Sequence, residues 1–156
     1  MATPHRLTVV RELKNRLHLT HVLAAAPAVV FRALTEPVEL AKWWGPHGFT
    51  TPEIKLDLRV GGAYRFTMQP PEGKAFHLVG EFREIDSPVR LSYTFRWEEP
   101  TPDDRETVVT LSLRDADEST ELTLEQGNFA TEERRALHEA GWGDSFQKLD
   151  RVLRSA

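Results

Sequence analysis

Residues 131–155 read TEERRALHEAGWGDSFQKLDRVLRS, and this stretch decides the fold. Thr131 suits the N-cap position of a helix, and the acidic Glu132 and Glu133 suit the positive end of its dipole. Apolar side chains then recur at a spacing near 3.6 and form one broad face of a helix of about 24 residues. This face consists of Leu137, Trp142, Phe146, Leu149 and Leu153. It must be covered by another part of the fold.

Six short segments before this helix alternate apolar and polar residues, as strands with one buried face do. They are EIKLDL (53–58), AYRFTM (63–68), FHLVGEFREI (76–85), RLSYTFRW (90–97), ETVVTLSL (106–113) and ELTLEQ (121–126). Turn-forming residues separate consecutive segments, as Gly61-Gly62 does between the first two. Short connections between consecutive alternating strands indicate an antiparallel meander.

Two short helices are predicted ahead of the meander. The first begins at Pro27, which suits a first helical turn, and Pro37 closes it. The second, VELAKWW (38–44), stops at Gly45-Pro46, where glycine permits the turn and proline cannot continue the helix. Because Trp43 and Trp44 are adjacent, they should face different sides of this helix.

One further strand and a tail complete the prediction. Alternation predicts a strand over residues 15–23, after a loose tail over residues 1–14. The chain of 156 residues is the size of one domain. Residues 1–156 are therefore predicted to be a single α+β domain, in which a curved antiparallel sheet of about six or seven strands wraps around the C-terminal helix.

Composition narrows the functional classes. The formal net charge is −4, which gives no basic surface for a nucleic-acid partner. The chain has no cysteine, so disulfides and thiolate metal sites are excluded. No apolar run approaches the roughly 20 residues of a membrane span, and charged residues interrupt the N-terminus where a signal peptide would be uninterrupted. These features favour a cytoplasmic protein.

Three separated motifs, in this order, carry a family resemblance. They are APAVVFRALTEPVELAKWWGP (26–46), LDLRVGGAYRF (56–66) and GEFREIDSPVRLSY (80–93). Together they resemble the family of activator-of-heat-shock-protein-90-ATPase-like proteins, within the START or birch-pollen-allergen-like (SRPBCC) superfamily. The resemblance implies a helix-grip fold with an apolar cavity between sheet and helix. It leaves the activity open, because relatives include lipid and hormone binders, cyclases, dehydratases and chaperone regulators.

Strand alternation nominates the residues that would face such a cavity. Large side chains of two strands point to the face that meets the last helix, and the Trp43-Trp44 pair lies before the Gly-Pro turn. The predicted ligand contacts are Trp43, Trp44, Tyr64, Phe66, Met68, Tyr93, Phe95, Trp97, Trp142, Phe146 and Leu149. The tyrosine hydroxyls and indole N–H groups would be the polar handles. Simple core packing explains the same pattern, and both interpretations stay open.

Motifs for metal binding and catalysis are absent. The six histidines form no H-x-x-x-H pair and no spacing with carboxylates that would build a metal site, so no metal and no cofactor are predicted. His77 and His138 could reach the cavity, although a surface or internally paired histidine is the default. The acidic connection EEPTPDD (98–104) is interpreted as a flexible hairpin tip.

Three functions follow, in this order of preference. The first is non-catalytic binding of a small hydrophobic or lipid-like molecule, because aromatic side chains are abundant on faces that meet inside the fold. The second is a co-chaperone-like interaction with a heat-shock chaperone, and the third is a cyclase, dehydratase or hydrolase that uses the same cavity. An exposed sheet edge could also support a weak homodimer.

Overall fold

The computed structural model describes residues 15–155, so the predicted tail over residues 1–14 lies outside the described part. Within it, seven strands and three helices follow the predicted order. They are β1 (Leu17–Leu23), α1 (Pro27–Thr35), α2 (Pro37–Leu40), β2 (Thr50–Leu56), β3 (Ala63–Gln69), β4 (Phe76–Asp86), β5 (Arg90–Trp97), β6 (Thr107–Asp115), β7 (Thr120–Gly127) and α3 (Glu132–Ser155). None of the described helices is both long and apolar enough to cross a membrane.

The strands form one antiparallel sheet in the order β1-β7-β6-β5-β4-β3-β2. From β2 to β7 each strand pairs with its neighbour in sequence, which confirms the predicted meander. Strand β1 instead crosses to the last strand, with Leu17 opposite Gln126 and Leu23 opposite Thr120. The predicted α+β helix-grip fold is confirmed. Strands β1 and β2 are the sheet edges, and a dimer through either edge stays a prediction.

Helix α3 begins as predicted, because Thr131 Oγ1 accepts a hydrogen bond from the Arg134 N–H at 3.1 Å. Its predicted apolar face is buried from Trp142 to Leu153. Leu137, one turn and a half earlier, is 54% exposed. This part of the prediction is wrong because the first turns of α3 lie beside a cavity rather than against packed strand residues.

The second short helix is shorter than predicted. Helix α2 ends at Leu40, and a turn through Trp43 follows. Both Trp43 and Trp44 are buried, and a helical hydrogen bond still joins the Trp44 N–H to the Leu40 carbonyl at 3.0 Å. The Trp43 indole Nε1 donates a hydrogen bond to the Ala33 carbonyl at 2.9 Å, which anchors this turn to α1. The two indoles therefore lie in different surroundings, Trp43 in the core beside α1 and Trp44 on the cavity beside α3.

The outer face of β5 is less exposed than alternation predicts, since Ser92 and Thr94 are buried as well. The Ser92 hydroxyl donates to the Val109 carbonyl at 3.0 Å, and the Thr94 hydroxyl accepts from the Glu81 N–H at 2.9 Å. Both short polar side chains are thus satisfied by neighbouring strands.

Close packing of β4 against β5 requires a glycine at position 80. A Cβ there would overlap the Thr94 carbonyl oxygen and lie 2.5 Å from Tyr64 Cε2. We expect Gly80→Ala to lower the free energy of unfolding by about 2–4 kcal/mol, measured by urea denaturation. The matched control is Gly143→Ala in α3, whose added Cβ would meet no heavy atom within 4 Å. Helix propensity should make this control stabilising by up to about 1 kcal/mol. A Gly80→Ala variant with native stability would contradict the requirement for glycine at position 80.

Candidate functional site

A cavity of about 440 Å³ lies between the first turns of α3, the ends of β3 and β5, and the turn that follows Trp44. This volume is within the range of small-molecule sites, about 300–1,000 Å³. Its walls are mostly apolar and are formed by Trp44, Phe49, Met68, Phe76, Phe95, Trp97, Leu137 and Trp142. Its rim is polar and includes Glu99, Thr101, Asp104, Arg134, His138 and Ser145.

Edge-to-face contacts hold the aromatic walls in place. Phe95 and Trp97 project from the same face of β5, with ring centroids 5.2 Å apart and planes at 84°. Phe76 contacts Trp97 at 5.2 Å, and Phe49 contacts Phe76 at 6.0 Å, so the wall continues onto the next strand and the turn. Aromatic pairs in this geometry are favourable beyond their buried area. The wall is therefore preformed.

Trp142 joins this wall to the core through a buried polar chain. Its indole Nε1 donates to Gln126 Oε1 at 2.8 Å, and Gln126 Nε2 donates to Thr107 Oγ1 at 2.9 Å. The Trp142 ring contacts Trp44 edge-on at 5.2 Å. Sequence reasoning missed Gln126, although it occupies the inward position after Leu122 and Leu124 in the β7 alternation. A glutamine at an inward-facing strand position is the sequence feature that could have identified this residue.

Five of the eleven predicted contact residues line the cavity: Trp44, Met68, Phe95, Trp97 and Trp142. The other six are buried elsewhere in the core: Trp43, Tyr64, Phe66, Tyr93, Phe146 and Leu149. The division follows α3, because the helix from Trp142 onward packs on the sheet while its first turns leave space beneath them. Ligand contact by the five cavity residues stays a prediction.

Three of the predicted polar handles, on Tyr64, Trp43 and Trp142, are hydrogen-bonded inside the protein. The Tyr64 hydroxyl donates to the Thr94 carbonyl at 2.7 Å, and burial raises the pKa of Tyr64 well above its usual value. Burial also raises the pKa of Tyr93, and neither tyrosine lines the cavity. The indole N–H groups of Trp43 and Trp142 are likewise hydrogen-bonded to the protein. The rim, which strand alternation does not reveal, supplies the polar groups of the site.

Residues 98–106, here called the rim loop, are docked on α3 rather than forming a free hairpin tip. Arg134 Nη2 donates to Thr101 Oγ1 at 2.7 Å, and Arg134 Nη1 lies 3.7 Å from Asp104 Oδ1. Asp104 Oδ2 accepts from the Thr101 N–H at 2.8 Å, which holds the loop in shape. Arg134 thus closes one side of the cavity by linking the rim loop to the helix.

His138 lies at the rim between the rings of Phe129 and Phe95, at centroid distances of 4.7 and 5.6 Å. Its Nδ1 is 2.8 Å from the Arg134 carbonyl oxygen. A carbonyl only accepts, so Nδ1 carries the proton and Nε2 of the neutral ring is an acceptor. Burial, more than any charge nearby, lowers the pKa of His138. The ring is therefore neutral at pH 7.

His77, Glu98 and Glu99 converge near the rim, with ligand atoms within 4.8 Å of one another. The sequence pattern did not predict this group. Consecutive residues of a strand point to opposite faces, so Glu98 and Glu99 would diverge if β5 continued through them. Strand β5 ends at Trp97, before both residues. His77 Nδ1 donates to Glu99 at 2.6 Å, and Arg65 Nη2 donates to Glu98 at 2.8 Å. Each of the three side chains is thus in a polar contact within the protein, and the absence of a metal site stays a prediction.

A larger groove, of about 850 Å³, lies between α1, α2 and the end of α3. Charged side chains dominate it: Arg32, Glu36, Glu39, Lys42, Lys148 and Arg151. It has no aromatic residue among those that line it, whereas the smaller cavity has six. Enclosure by aromatic rings is typical of ligand sites, so the smaller cavity is the better candidate.

A sheet that grips one long helix, with an aromatic cavity under the first turns of that helix, defines a helix-grip domain. The family model described as Activator of Hsp90 ATPase homolog 1-like protein matches residues 24–154. The chain belongs to this family, which confirms the resemblance of its motifs. The fold of the family is one that commonly encloses hydrophobic ligands.

Solved structures agree with this assignment. The crystal structure of protein CV1439 from Chromobacterium violaceum is similar with a TM-score of 0.80 and 28% identity, over 89% of this chain and 96% of that one. Protein NE0264 from Nitrosomonas europaea has a TM-score of 0.77 and 30% identity, over 91% and 96%. The AHSA1 (SPO3351) protein from Silicibacter pomeroyi has a TM-score of 0.77 and 28% identity, over 89% of this chain and 97% of that one. No curated protein matches the chain.

The buried histidine should make stability depend on pH. Because the folded-state pKa of His138 lies below its ordinary value of 6.5, the unfolded chain binds this proton more tightly. The free energy of unfolding should fall as the pH drops below about 6.5 and level off below the folded-state pKa. In His138→Gln the fall should be smaller. An NMR titration in which the His138 ring titrates at or above 6.5 would contradict the assignment.

Proposed function

We propose that the protein binds a small hydrophobic molecule in the cavity under the first turns of α3. The observation that carries the proposal is the 440 Å³ space that aromatic rings enclose and the chain's own side chains leave open. The space opens to solvent, so a ligand can enter it and contact the aromatic side chains. The apolar body of a ligand would replace water on the walls, with a gain of about 25 cal/mol per Å² buried.

The rim adds a second line of support. Apolar walls with a few polar groups at one end suit an amphipathic molecule, which buries its body and leaves its polar end at the mouth. Here the polar groups come from the rim loop and from Arg134 and His138 of α3. Leu137, exposed at the mouth, extends the apolar surface outward.

The two glycines of α3 give a matched test. The sequence suggests a close approach or a bend at these positions, but a Cβ at Gly141 would only touch Pro46 Cγ at 3.8 Å, and one at Gly143 would meet nothing. Gly141 lines the cavity and Gly143 does not. A Cβ is therefore accommodated at both positions, and of the two only Gly141→Leu should extend a side chain into the cavity.

We expect the unmodified protein to bind N-phenyl-1-naphthylamine, a neutral fluorescent probe, saturably and with energy transfer from tryptophan. Gly141→Leu should weaken this binding by at least about tenfold, since it occupies the space, while Gly143→Leu should leave it unchanged. Thermal melting of both variants controls for folding. Absence of saturable binding to the unmodified protein, or equal binding by the two variants, would reject the cavity as the site.

A second candidate is interaction with an Hsp90-type chaperone, and the observation that favours it is the family match over residues 24–154. If it is correct, the purified protein should raise the steady-state ATPase rate of the chaperone severalfold and sediment with it. The Gly141→Leu variant should do the same, because filling the cavity leaves the outer surface intact. An unchanged rate together with separate sedimentation would exclude this role.

A further inference from the structure

The charged side chains that line the cavity do not cancel. Two are carboxylates, Glu99 and Asp104, and one is a guanidinium, Arg134. Arg134 is committed to Asp104, whose side chain is only 9% exposed, and to Thr101. Since the His138 ring is neutral, the side chains that line the cavity carry one excess negative charge, that of Glu99, whose hydrogen-bond partner His77 is not among the lining residues.

Glu99 is held as an anion by its surroundings. Its two carboxylate oxygens accept from the His77 backbone N–H at 2.9 Å and from His77 Nδ1 at 2.6 Å. These hydrogen bonds lower the pKa of Glu99, and the nearby Glu98 is already paired with Arg65. His77 approaches Glu99 from outside the cavity and does not line it. The carboxylate is thus fixed in place at the mouth.

The hydroxyl donors at the rim are already used. The Ser145 hydroxyl donates to the Gly141 carbonyl at 2.9 Å, and the Thr101 hydroxyl donates to Asp104 at 3.0 Å. His138 offers Nε2 only as an acceptor. Among the described residues the indole N–H groups of Trp44 and Trp97 make no hydrogen bond, but these donors are uncharged and belong to the apolar walls. The mouth therefore offers acceptors on Glu99 and His138, and the one guanidinium among the described lining residues, Arg134, is paired with Asp104.

We propose that the cavity selects amphipathic ligands by charge, favouring an apolar body that ends in a protonated amine and disfavouring the matching carboxylate. The inference rests on the proposed binding function and narrows its ligand class, away from fatty acids. An ammonium group would donate to Glu99 and to His138 Nε2. It would also be attracted to the faces of the tryptophan rings in the wall, as aromatic cages attract organic cations. A carboxylate would meet the like charge of Glu99.

Three probes of one shape test the proposal: 2-naphthylmethanol (neutral), 2-naphthylmethylamine (cationic) and 2-naphthoate (anionic), titrated at low salt with tryptophan fluorescence as the signal. We expect the amine to bind about tenfold more tightly than the carboxylate, as one partly screened charge contact predicts, with the alcohol between them. Equal or tighter binding of the carboxylate would overturn the charge selection while the alcohol still supports the cavity. Failure of all three would reject both proposals.

A charge-matched pair of variants assigns the effect to Glu99. Glu99→Gln should reduce the preference for amine over carboxylate to about threefold or less and leave the affinity for the alcohol unchanged. Glu118→Gln removes the same charge from the exposed turn between β6 and β7, which does not line the cavity, and should keep the full preference. A preference that survives Glu99→Gln, or that Glu118→Gln reduces equally, would overturn the role of this carboxylate.

Discussion

The hydrogen bond from Trp142 Nε1 to Gln126 Oε1, 2.8 Å long, sets how helix α3 sits on the sheet. Both residues are buried, and Gln126 passes the link to Thr107 on β6. Breaking such a bond leaves a buried polar group without a partner, at a cost of about 1–3 kcal/mol. If the helix slid or rotated on the sheet, this hydrogen bond would break at that cost, so the helix has one register. Apolar packing alone would tolerate several.

This anchor divides α3 into a packed half and an open half. After Trp142 the helix buries Phe146, Leu149 and Leu153 against the sheet. Before it, the helix stands off the strands and covers the cavity. Hydrogen bonds fix the turn after Trp44 to α3 at the edge of the cavity: the Gly45 N–H donates to Ser145 Oγ at 3.1 Å, and Lys148 Nζ donates to the Pro46 carbonyl at 3.3 Å. The cavity persists because its edges are hydrogen-bonded rather than free to collapse.

Periodicity predicted the fold because each element has one buried face, and the period of that face differs between strand and helix. It could not predict where an element stops. Helix α2 gives way to a turn after Leu40, where Trp43 and Trp44 are both buried. Strand β5 ends at Trp97, and the adjacent carboxylates of Glu98 and Glu99 converge on His77. In both cases the direction of a side chain depends on where the regular element ends, which an alternation pattern does not mark.

The same limit explains how the predicted site relates to the cavity. Alternation identifies the inner face of β3 and β5, but the division of that face between core and cavity depends on how far α3 reaches, which the Gln126 anchor decides. The aromatic walls are tied to the core by ring contacts and cannot change without loss of stability. The rim residues instead lie on the rim loop and the first turns of α3, where Glu99 and Leu137 are largely solvent-exposed. Substitutions there cost little stability, so a protein of this fold can change its ligand at the rim while its core stays the same.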